Sequence, residues 1–446
     1  MTFIPHTAAE MQEMLARIGV ENLRELFEDI PERYRFPSIS LPRPASEIEI
    51  MAELRQLSEM NSDVDHMACF LGAGAYHHYI PSVVGHILGR SEFYTAYTPY
   101  QPEVSQGTLQ SIFEYQTMIC ELTGMEVSNA SHYDGATAVA EAVIMALSVA
   151  RGRRDKVVLS PTVHPEYRET VRTYMQGVEL EIVGDDRLEN DLPALASLID
   201  DNTACVVVQN PDFLGRIADL TALAETAHAH KALLVVVCNP ISLGMLKTPA
   251  AYGADIACGE GQPLGIPLNF GGPYLGFFAC KQEQVRRMAG RLVGQTLDAR
   301  GERGYVLTLS TREQHIRRER ATSNICTNQG LLTLAACVYL AALGKCGLRQ
   351  VANLCYQKAH YAAKQIAALD GFEVDMRAPF FHEFVVKCPA PVRTVNDLLL
   401  EHGILGGLDL GTVYPELENH MLLCVTEMNS AEEINDLVDV LGEGWS

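Results

Sequence analysis

The sequence predicts an α/β protein in which helices cover a mostly parallel sheet and a smaller α+β domain follows. Four short β-branched runs indicate the sheet, and each of them ends in polar or turn-forming residues. Helical stretches such as ADLTALAETAHAH separate the runs, which is typical of parallel strands joined by crossover helices. The runs are KVVLSP, LEIVGD, ACVVVQNP and ALLVVVCNP.

Residues 1–66 are predicted to form a helical arm. Residues 7–29 contain two short amphipathic helical patterns, the second being NLRELFEDI, and Pro31 closes the segment because it lacks a backbone N–H. A proline-rich link follows. Ser46 and Glu49 then form a capping-box pattern that opens the helix EIEIMAELRQLSEMN.

Residues 67–325 are predicted to form the large α/β domain. Two helical patterns, GTLQSIFEYQTMICELTG and DGATAVAEAVIMALSVA, precede the β-branched runs. After those runs, GADIACGEGQ and GPYLGFFAC read as further strands, the latter turning into a helix at KQEQVRRMAG. Residues 326–446 are predicted to form the α+β domain: two long helices come first, and the strand patterns FEVD, HEFVVKC and MLLCVTE follow.

Composition excludes several classes of protein. The net charge of −22 argues against a nucleic-acid partner, since phosphate binding needs clustered Lys and Arg. No basic, apolar leader begins the chain, and apolar stretches such as 331–343 are shorter than the roughly 18–20 residues of a membrane span. Twelve cysteines without a CxxC pair suit reduced thiols better than disulfides or a metal site. We therefore expect a cytoplasmic protein.

Functional groups in such a sheet gather at the carboxyl ends of strands, here Asn210-Pro211-Asp212 and Asn239-Pro240. Enzymes of this architecture that bind pyridoxal phosphate (PLP) need a phosphate cradle at a helix N-terminus, a carboxylate for the pyridine nitrogen and a Schiff-base lysine. Ser131 and His132, before an alanine-rich helix, are candidates for a vestigial cradle. A plain helix cap by Ser131 or Asp134 explains the same residues.

The carboxylate and the lysine are both missing. Cys238 and Asn239 stand where the carboxylate belongs, and Gln262 occupies the lysine position at the end of the next strand. No lysine of the chain is convincingly placed for a Schiff base, although Lys247 and Lys281 are the nearest candidates. The complete set is Lys156, Lys231, Lys247, Lys281, Lys345, Lys358, Lys364 and Lys387.

Other groups of residues carry weaker signals. The run from Gly72 to Gly74 predicts a tight turn, because neither a preceding strand nor a distant acidic residue supports dinucleotide binding. The adjacent pair His77 and His78 cannot easily share a metal ion on one regular face, so we expect ordinary polar roles for them and for His228 and His230. The basic run at 317–320 suits a solvated helix face or an interface anchor equally well.

Longer motifs resemble the glycine cleavage system P-protein family across essentially the whole chain. They are FLGAGAYHHYIPSVV (70–84), EFYTAYTPYQPEVSQGTLQSIFEYQTMICELTGMEVSNAS (92–131), GADIACGEGQPLGIPLNFGGPYLGFFA (253–279) and RRERATSNICTNQGLL (317–332). Members of this family bind PLP, decarboxylate glycine and pass the aminomethyl group to the lipoyl arm of the H-protein. They consist of two related halves, fused or separate, and only the second half carries the Schiff-base lysine.

The resemblance implies that this chain is the first-half subunit, with a fold type I PLP-enzyme architecture and Gln262 in place of the lysine. It further implies an α2β2 heterotetramer with the lysine-bearing subunit, which would bind the PLP, so this chain holds none covalently. Pro240 and Pro263 interrupt the former site loops, which suggests a pocket shaped to stay empty.

The resemblance also suggests which residues of this chain wall the partner's active site, or instead serve only for interface packing. They are Thr98, Tyr100, Gln101, Glu103, Ser323 and Asn324. Two other functions stay open at this point. One is a self-sufficient PLP enzyme that uses Lys247 or Lys281, and the other is a non-catalytic scaffold that docks the H-protein.

Overall fold

The structure, a computed structural model, describes residues 6–325 and 327–443. Its α-helices are α1 (Ala8–Ile18), α2 (Glu47–Ser58), α3 (Ser82–Leu88), α4 (Ser91–Tyr94), α5 (Gln106–Thr123), α6 (Gly135–Ala150), α7 (Pro165–Met175), α8 (Leu192–Ser197), α9 (Thr221–Ala229), α10 (Gln314–Arg317), α11 (Gly330–Ile366), α12 (Val392–Glu401) and α13 (Ala431–Glu443). Its strands are β1 (Ala68–Cys69), β2 (Val127–Ser128), β3 (Lys156–Leu159), β4 (Glu181–Val183), β5 (Thr203–Gln209), β6 (Leu233–Val237), β7 (Ile256–Glu260), β8 (Gly276–Cys280), β9 (Leu292–Leu297), β10 (Arg303–Thr308), β11 (Glu373–Val374), β12 (Glu383–Lys387), β13 (Ile404–Leu405), β14 (Leu408–Asp409) and β15 (His420–Cys424).

The chain divides into two compact units, Met1–Ser62 and Asp63–Ser446. In the first unit, the predicted capping box of α2 is confirmed, since the Glu49 N–H donates to Ser46 Oγ and the Glu49 carboxylate accepts from the Ser46 N–H. The predicted helix at NLRELFEDI is instead a short 3₁₀ helix, Leu23–Phe27. The boundaries predicted at 66/67 and 325/326 stay predictions.

The second unit is built around a seven-stranded sheet with the order β2-β8-β7-β6-β5-β3-β4. Strands β3 to β7 run parallel, whereas β8 and β2 are antiparallel to their neighbours. The predicted mostly parallel sheet is therefore confirmed. Strands β5 and β6 are buried along nearly their whole length, which is why their sequences are continuous apolar runs. The carboxyl ends of β5, β6 and β7 meet at one edge of the sheet.

The helix predicted at KQEQVRRMAG is wrong. Only a single 3₁₀ turn, Gln282–Gln284, forms there, and the chain then enters the unpredicted hairpin of β9 and β10. The carbonyls of Ala289 and Gly290 accept hydrogen bonds from the side chains of Asn129 and Arg312, at 3.0 and 2.9 Å. Because these distant side chains satisfy the backbone, the segment has no need of helical hydrogen bonds.

The two long helices predicted after residue 329 join as α11, which is kinked at Gly344 (φ 58°, ψ 180°). The joined helix is long and apolar enough to cross a membrane by length and composition alone, which the shorter predicted stretches were not. Here Ala335, Tyr339 and Ala352 on α11 are buried in the core beneath the sheet. Part of the apolar composition of α11 thus reflects its packing within the fold.

A smaller antiparallel sheet, ordered β11-β12-β15-β14, lies within residues 373–424 and packs with α11, α12 and α13 around a separate hydrophobic core. These elements confirm the predicted α+β character of the terminal segment. Glu383, at the start of β12, and His382 before it lie near the carboxyl edge of the large sheet. There Glu383 contacts Ala73, and His382 contacts Asn239.

Candidate functional site

A small cavity lies at the carboxyl edge of the large sheet, where the sequence predicts the functional groups. Its volume is about 30 Å³, which leaves room for about one or two water molecules. The lining residues come from the ends of β5, β6 and β7, from α7 and its cap, and from the loop after β1: Gly74, Tyr76, His164, Tyr167, Gln209, Val237, Cys238, Asn239 and Glu260.

Gln262, at the predicted lysine position, is buried and fully hydrogen-bonded. Its Oε1 accepts from the N–H of Tyr76 at 2.9 Å, and its Nε2 donates to the carbonyls of Tyr76 and Ile266 at 2.9 and 2.8 Å. The amide therefore fastens the loop after β1 to the end of the sheet. Nothing about this side chain is free to react.

Asn239, at the predicted carboxylate position, is also engaged within the chain. Its Oδ1 accepts from the N–H of Ile241 at 2.9 Å, and its Nδ2 lies 3.1 Å from Nε2 of His382. Burial lowers the pKa of His382 to about 3, so its ring is neutral and Nε2 can accept from the asparagine amide. Cys238 beside it is buried, and burial raises the pKa of its thiol to about 12.

Glu260, two residues before Gln262, places a partly buried carboxylate in front of α6. Its Oε2 accepts from the N–H of Gly135, the first residue of α6, at 2.9 Å. Its Oε1 accepts from the N–H groups of Gln262 and Leu275 at 2.9 and 3.0 Å. Burial raises the pKa of this carboxyl to about 7, while the three N–H groups favour its ionised form.

The loop from Gly72 to Gly74 covers the cavity and, as predicted, makes a tight turn. Glu383 holds the loop from the smaller sheet: its carboxylate accepts from the Ala73 N–H at 2.6 Å and from the Tyr76 hydroxyl at 2.8 Å. Gly74 has φ +113°, and a Cβ there would lie 2.7 Å from Nε2 of His164. This close approach closes the cavity on the side of the loop.

The residues predicted as a vestigial cradle are near α6 but do not line the cavity. The Ser131 hydroxyl accepts from the N–H of Gln329 at 3.2 Å, and the ring of His132 stacks on Phe278 with centroids 4.8 Å apart. Asp134 caps α6 by accepting from the N–H of Thr137 at 2.8 Å. Of the two capping residues considered from the sequence, Asp134 is the one that performs this role.

These residues do not fit a bound PLP. Pockets that take ligands of drug size measure about 300–1,000 Å³, and the volume of about 30 Å³ falls far below this range. The lysine position holds a neutral amide, and the carboxylate position holds Asn239. The N-terminus of α6 already carries Glu260.

A second cavity, of about 230 Å³, lies where the TPYQPE segment meets the start of α11, and Thr98, Pro99 and Asn328 are among its lining residues. The buried Arg291 joins these two segments by donating to the Tyr100 hydroxyl at 2.9 Å and to Asn328 Oδ1 at 3.1 Å. The ring of Tyr100 also packs edge-on against His315. The predicted residues Thr98 and Tyr100 thus lie together on a braced surface loop.

The other predicted contact residues are placed less uniformly. The side chains of Gln101, Glu103 and Asn324 are exposed. Ser323 instead points into the chain, where its hydroxyl donates to the buried carboxylate of Glu141 on α6 at 2.6 Å. In this structure Ser323 therefore anchors its loop, while the three exposed side chains remain available to a partner molecule.

Lys247 and Lys281, considered as alternative Schiff-base residues, do not line the small cavity at the carboxyl edge of the large sheet. Lys247 is exposed, with its ammonium group 4.2 Å from the ring centroid of Tyr252. Lys281 pairs with Asp255 at 2.5 Å, beside the amino end of β7 and thus at the opposite end of that strand from Glu260. Neither position supports a self-sufficient PLP enzyme.

Three of the histidines considered as metal ligands, His78, His228 and His230, have carboxylate partners. His78 Nδ1 lies 2.7 Å from Glu427, His228 Nε2 lies 2.8 Å from Asp255, and His230 contacts Asp201. Burial opposes the ionisation of Glu427, but the hydrogen bond and charge of His78 together with the Tyr79 N–H lower its pKa to about 2. The basic run at 317–320 is exposed, which fits both predicted roles.

Sequence reasoning missed Glu260, Glu383 and Arg291. Glu260 carried a usable signal, because an acidic residue between two glycines at the end of a buried strand is an unusual place for a charge. Glu383 and Arg291 carried none, since their partners are distant in the sequence: Glu383 contacts Ala73 and Tyr76, and Arg291 contacts Tyr100.

Comparison with known proteins places these features in context. Residues 1–441 match the family described as glycine cleavage system P-protein. The chain is 56% identical to the probable glycine dehydrogenase (decarboxylating) subunit 1 of Desulforamulus reducens, over 99% of both chains. A crystal structure of glycine decarboxylase (P-protein) in inhibitor-bound form is 45% identical, with a TM-score of 0.90 over 99% of this chain and 100% of that one. Glutamate decarboxylase of Lactobacillus brevis, 13% identical with a TM-score of 0.67 over 93% of this chain and 96% of that one, shares the fold alone, that of the fold type I PLP-dependent enzymes.

Proposed function

The chain belongs to the glycine cleavage system P-protein family, as a subunit of glycine dehydrogenase (decarboxylating), and we propose that its PLP is bound by a partner subunit. The observation that carries this proposal is Gln262. An amide that makes three buried hydrogen bonds stands where a Schiff-base lysine is needed, beside a cavity too small for the cofactor. The chemistry of glycine decarboxylation then belongs to a second, lysine-bearing subunit, with which this chain forms an α2β2 assembly.

We further propose that the TPYQPE loop walls the active site of that partner. The loop is braced from behind, because Arg291 donates a hydrogen bond to the Tyr100 hydroxyl, while the side chains of Gln101 and Glu103 are exposed. A braced loop can position polar groups against a substrate held by another chain. Thr98 and Asn324 belong to the same proposed wall, and Ser323 supports it through Glu141.

The proposed substrate is glycine, and the lipoylated H-protein receives the aminomethyl group, as the resemblance implies. We place the complex in the cytoplasm. This is supported by the free cysteines: the described residues include eleven, most of them buried and none in a disulfide.

The test compares this chain, the lysine-bearing subunit and their mixture. With lipoylated H-protein present, we expect release of CO₂ from carboxyl-labelled glycine only from the mixture, and a borohydride-trapped PLP adduct only on the partner. Full activity of the partner alone would instead indicate that this chain is a scaffold. A trapped adduct on this chain would contradict the proposal directly.

A further inference from the structure

The N-terminus of α6 holds an anion supplied by the chain itself. A helix N-terminus attracts negative charge, because its first N–H groups lack partners within the helix and its dipole is positive at that end. Here the Glu260 carboxylate takes the Gly135 N–H, and the N–H groups of Gln262 and Leu275 complete a set of three backbone donors. The donors come from three separate segments and converge on one side chain.

The approach of α6 to Glu260 depends on Gly135. A Cβ at this position would lie 2.5 Å from the Tyr167 hydroxyl and 2.9 Å from the backbone nitrogen of Glu260. The helix end, Tyr167 and the end of β7 are therefore in direct contact. His164 stacks on Tyr167 with ring centroids 4.5 Å apart. Its Nε2 donates to the carbonyl of Ala73 at 2.8 Å, and its Nδ1 accepts from the N–H of Glu166 at 3.2 Å.

We propose that Glu260 is an internal substitute for a ligand phosphate, which occupies the anion site of α6 and so closes this chain's cavity to PLP and to other phosphate-bearing ligands. The cavity beside the carboxylate measures about 30 Å³, so a phosphate group can enter only where the Glu260 side chain now lies. The proposal goes beyond the function proposed above, because it concerns this chain's own pocket and is independent of the reaction carried out by the complex.

In the wild-type chain the Glu260 carboxylate already occupies the anion site of α6, so the site is not open to a ligand. If Glu260 is shortened to alanine, three N–H donors converge on the space that the carboxylate leaves, with no anion to receive them. Buried, unpaired donors of this kind favour an anion strongly. The glutamine variant keeps the size of the side chain and one oxygen acceptor, so it leaves no such space.

The experiment measures thermal unfolding and equilibrium binding of inorganic phosphate to the full-length chain at pH 8, with ionic strength matched by NaCl. Wild type and Glu260→Gln should show no saturable phosphate effect. Glu260→Ala should bind phosphate at least about tenfold more tightly than wild type, since it regains charge-assisted hydrogen bonds to three donors. Glu141→Ala is the matched control, because Glu141 is a buried glutamate on α6 that does not line the cavity; it should show no phosphate effect.

Two outcomes would overturn the proposal: saturable phosphate binding at this site in wild type, or a folded Glu260→Ala that gains none. If Glu260→Ala fails to fold, the proposal is tested instead by titrating the Gln262→Lys variant and the wild-type chain with PLP. Both should remain without a borohydride-trapped adduct, and stoichiometric trapping in either one would refute the closed pocket. An inactive complex would count against the proposed function and leave these results unchanged.

Discussion

Gln262 and Tyr76 hold each other through a reciprocal pair of hydrogen bonds, each 2.9 Å long, although they lie 186 positions apart in the sequence. The side-chain amide of Gln262 pairs with the backbone N–H and carbonyl of Tyr76 as neighbouring β-strands pair, and it fixes the loop after β1 to the sheet. The residue at the position predicted for the Schiff-base lysine is thus a structural anchor.

Replacing the anchor should destabilise the chain. Gln262→Leu keeps the approximate volume but leaves the Tyr76 N–H and two buried carbonyls without partners, so we expect a loss of about 2–5 kcal/mol in the free energy of unfolding. Urea denaturation followed by circular dichroism measures this loss. The exposed Gln101→Leu is the control and should change stability by less than about 0.5 kcal/mol. Equal stability of the two variants would mean that the anchor has no role.

The brace beneath Tyr100 should matter for activity of the complex. Arg291→Lys cannot reach both Tyr100 and Asn328, because an ammonium group lacks the planar fork of a guanidinium. We expect a fall of about tenfold or more in kcat/KM for glycine decarboxylation from misplacement of the loop. Tyr100→Phe removes only one of these contacts and should lose less. Wild-type kinetics in Arg291→Lys, compared with the exposed control Arg300→Lys, would contradict the bracing role.

Glu383 should make stability depend on pH. Burial raises its pKa from 4.5 to about 7 in the folded chain, so between these values the folded state keeps a proton that the unfolded state releases. Stability contributed by this group is therefore present at low pH and falls as the pH rises from about 4.5 to about 7. Glu383→Gln should flatten the decline of Tm across this window. The exposed Glu53→Gln should leave the decline unchanged, and an unaltered slope in Glu383→Gln would argue against the assignment.

The two alternative lysines should be dispensable for cofactor binding. We expect complexes that contain Lys247→Ala or Lys281→Ala to retain the full PLP content, measured by absorbance after denaturation in alkali. Lys281→Ala should also lower stability, because it removes the ammonium group from the buried Asp255 carboxylate and leaves His228 as the other side-chain partner, whereas Lys247→Ala should not. Loss of PLP from either complex would indicate that the replaced lysine of this chain takes part in binding the cofactor.

Much of the sheet could be predicted from the sequence, because burial on both faces gives strands β5 and β6 their unbroken apolar runs. The predicted helix after β8 failed for a tertiary reason. Its carbonyls are satisfied by Asn129 and Arg312, and no local pattern in KQEQVRRMAG records those partners. The hairpin of β9 and β10 was also missed, although its two strands are neighbours in the chain and pair locally.

The sequence by itself predicted that this chain lacks a Schiff-base lysine and a carboxylate at the cofactor position, because both predictions concern which residue stands at the end of a predictable strand. Only the tertiary structure decided what fills the space instead. The contact of Glu260 with Gly135 spans 125 positions, and that of Arg291 with Tyr100 spans 191. Such contacts depend on strand order and on how closely a helix end approaches the sheet, which side-chain periodicity along the chain does not encode.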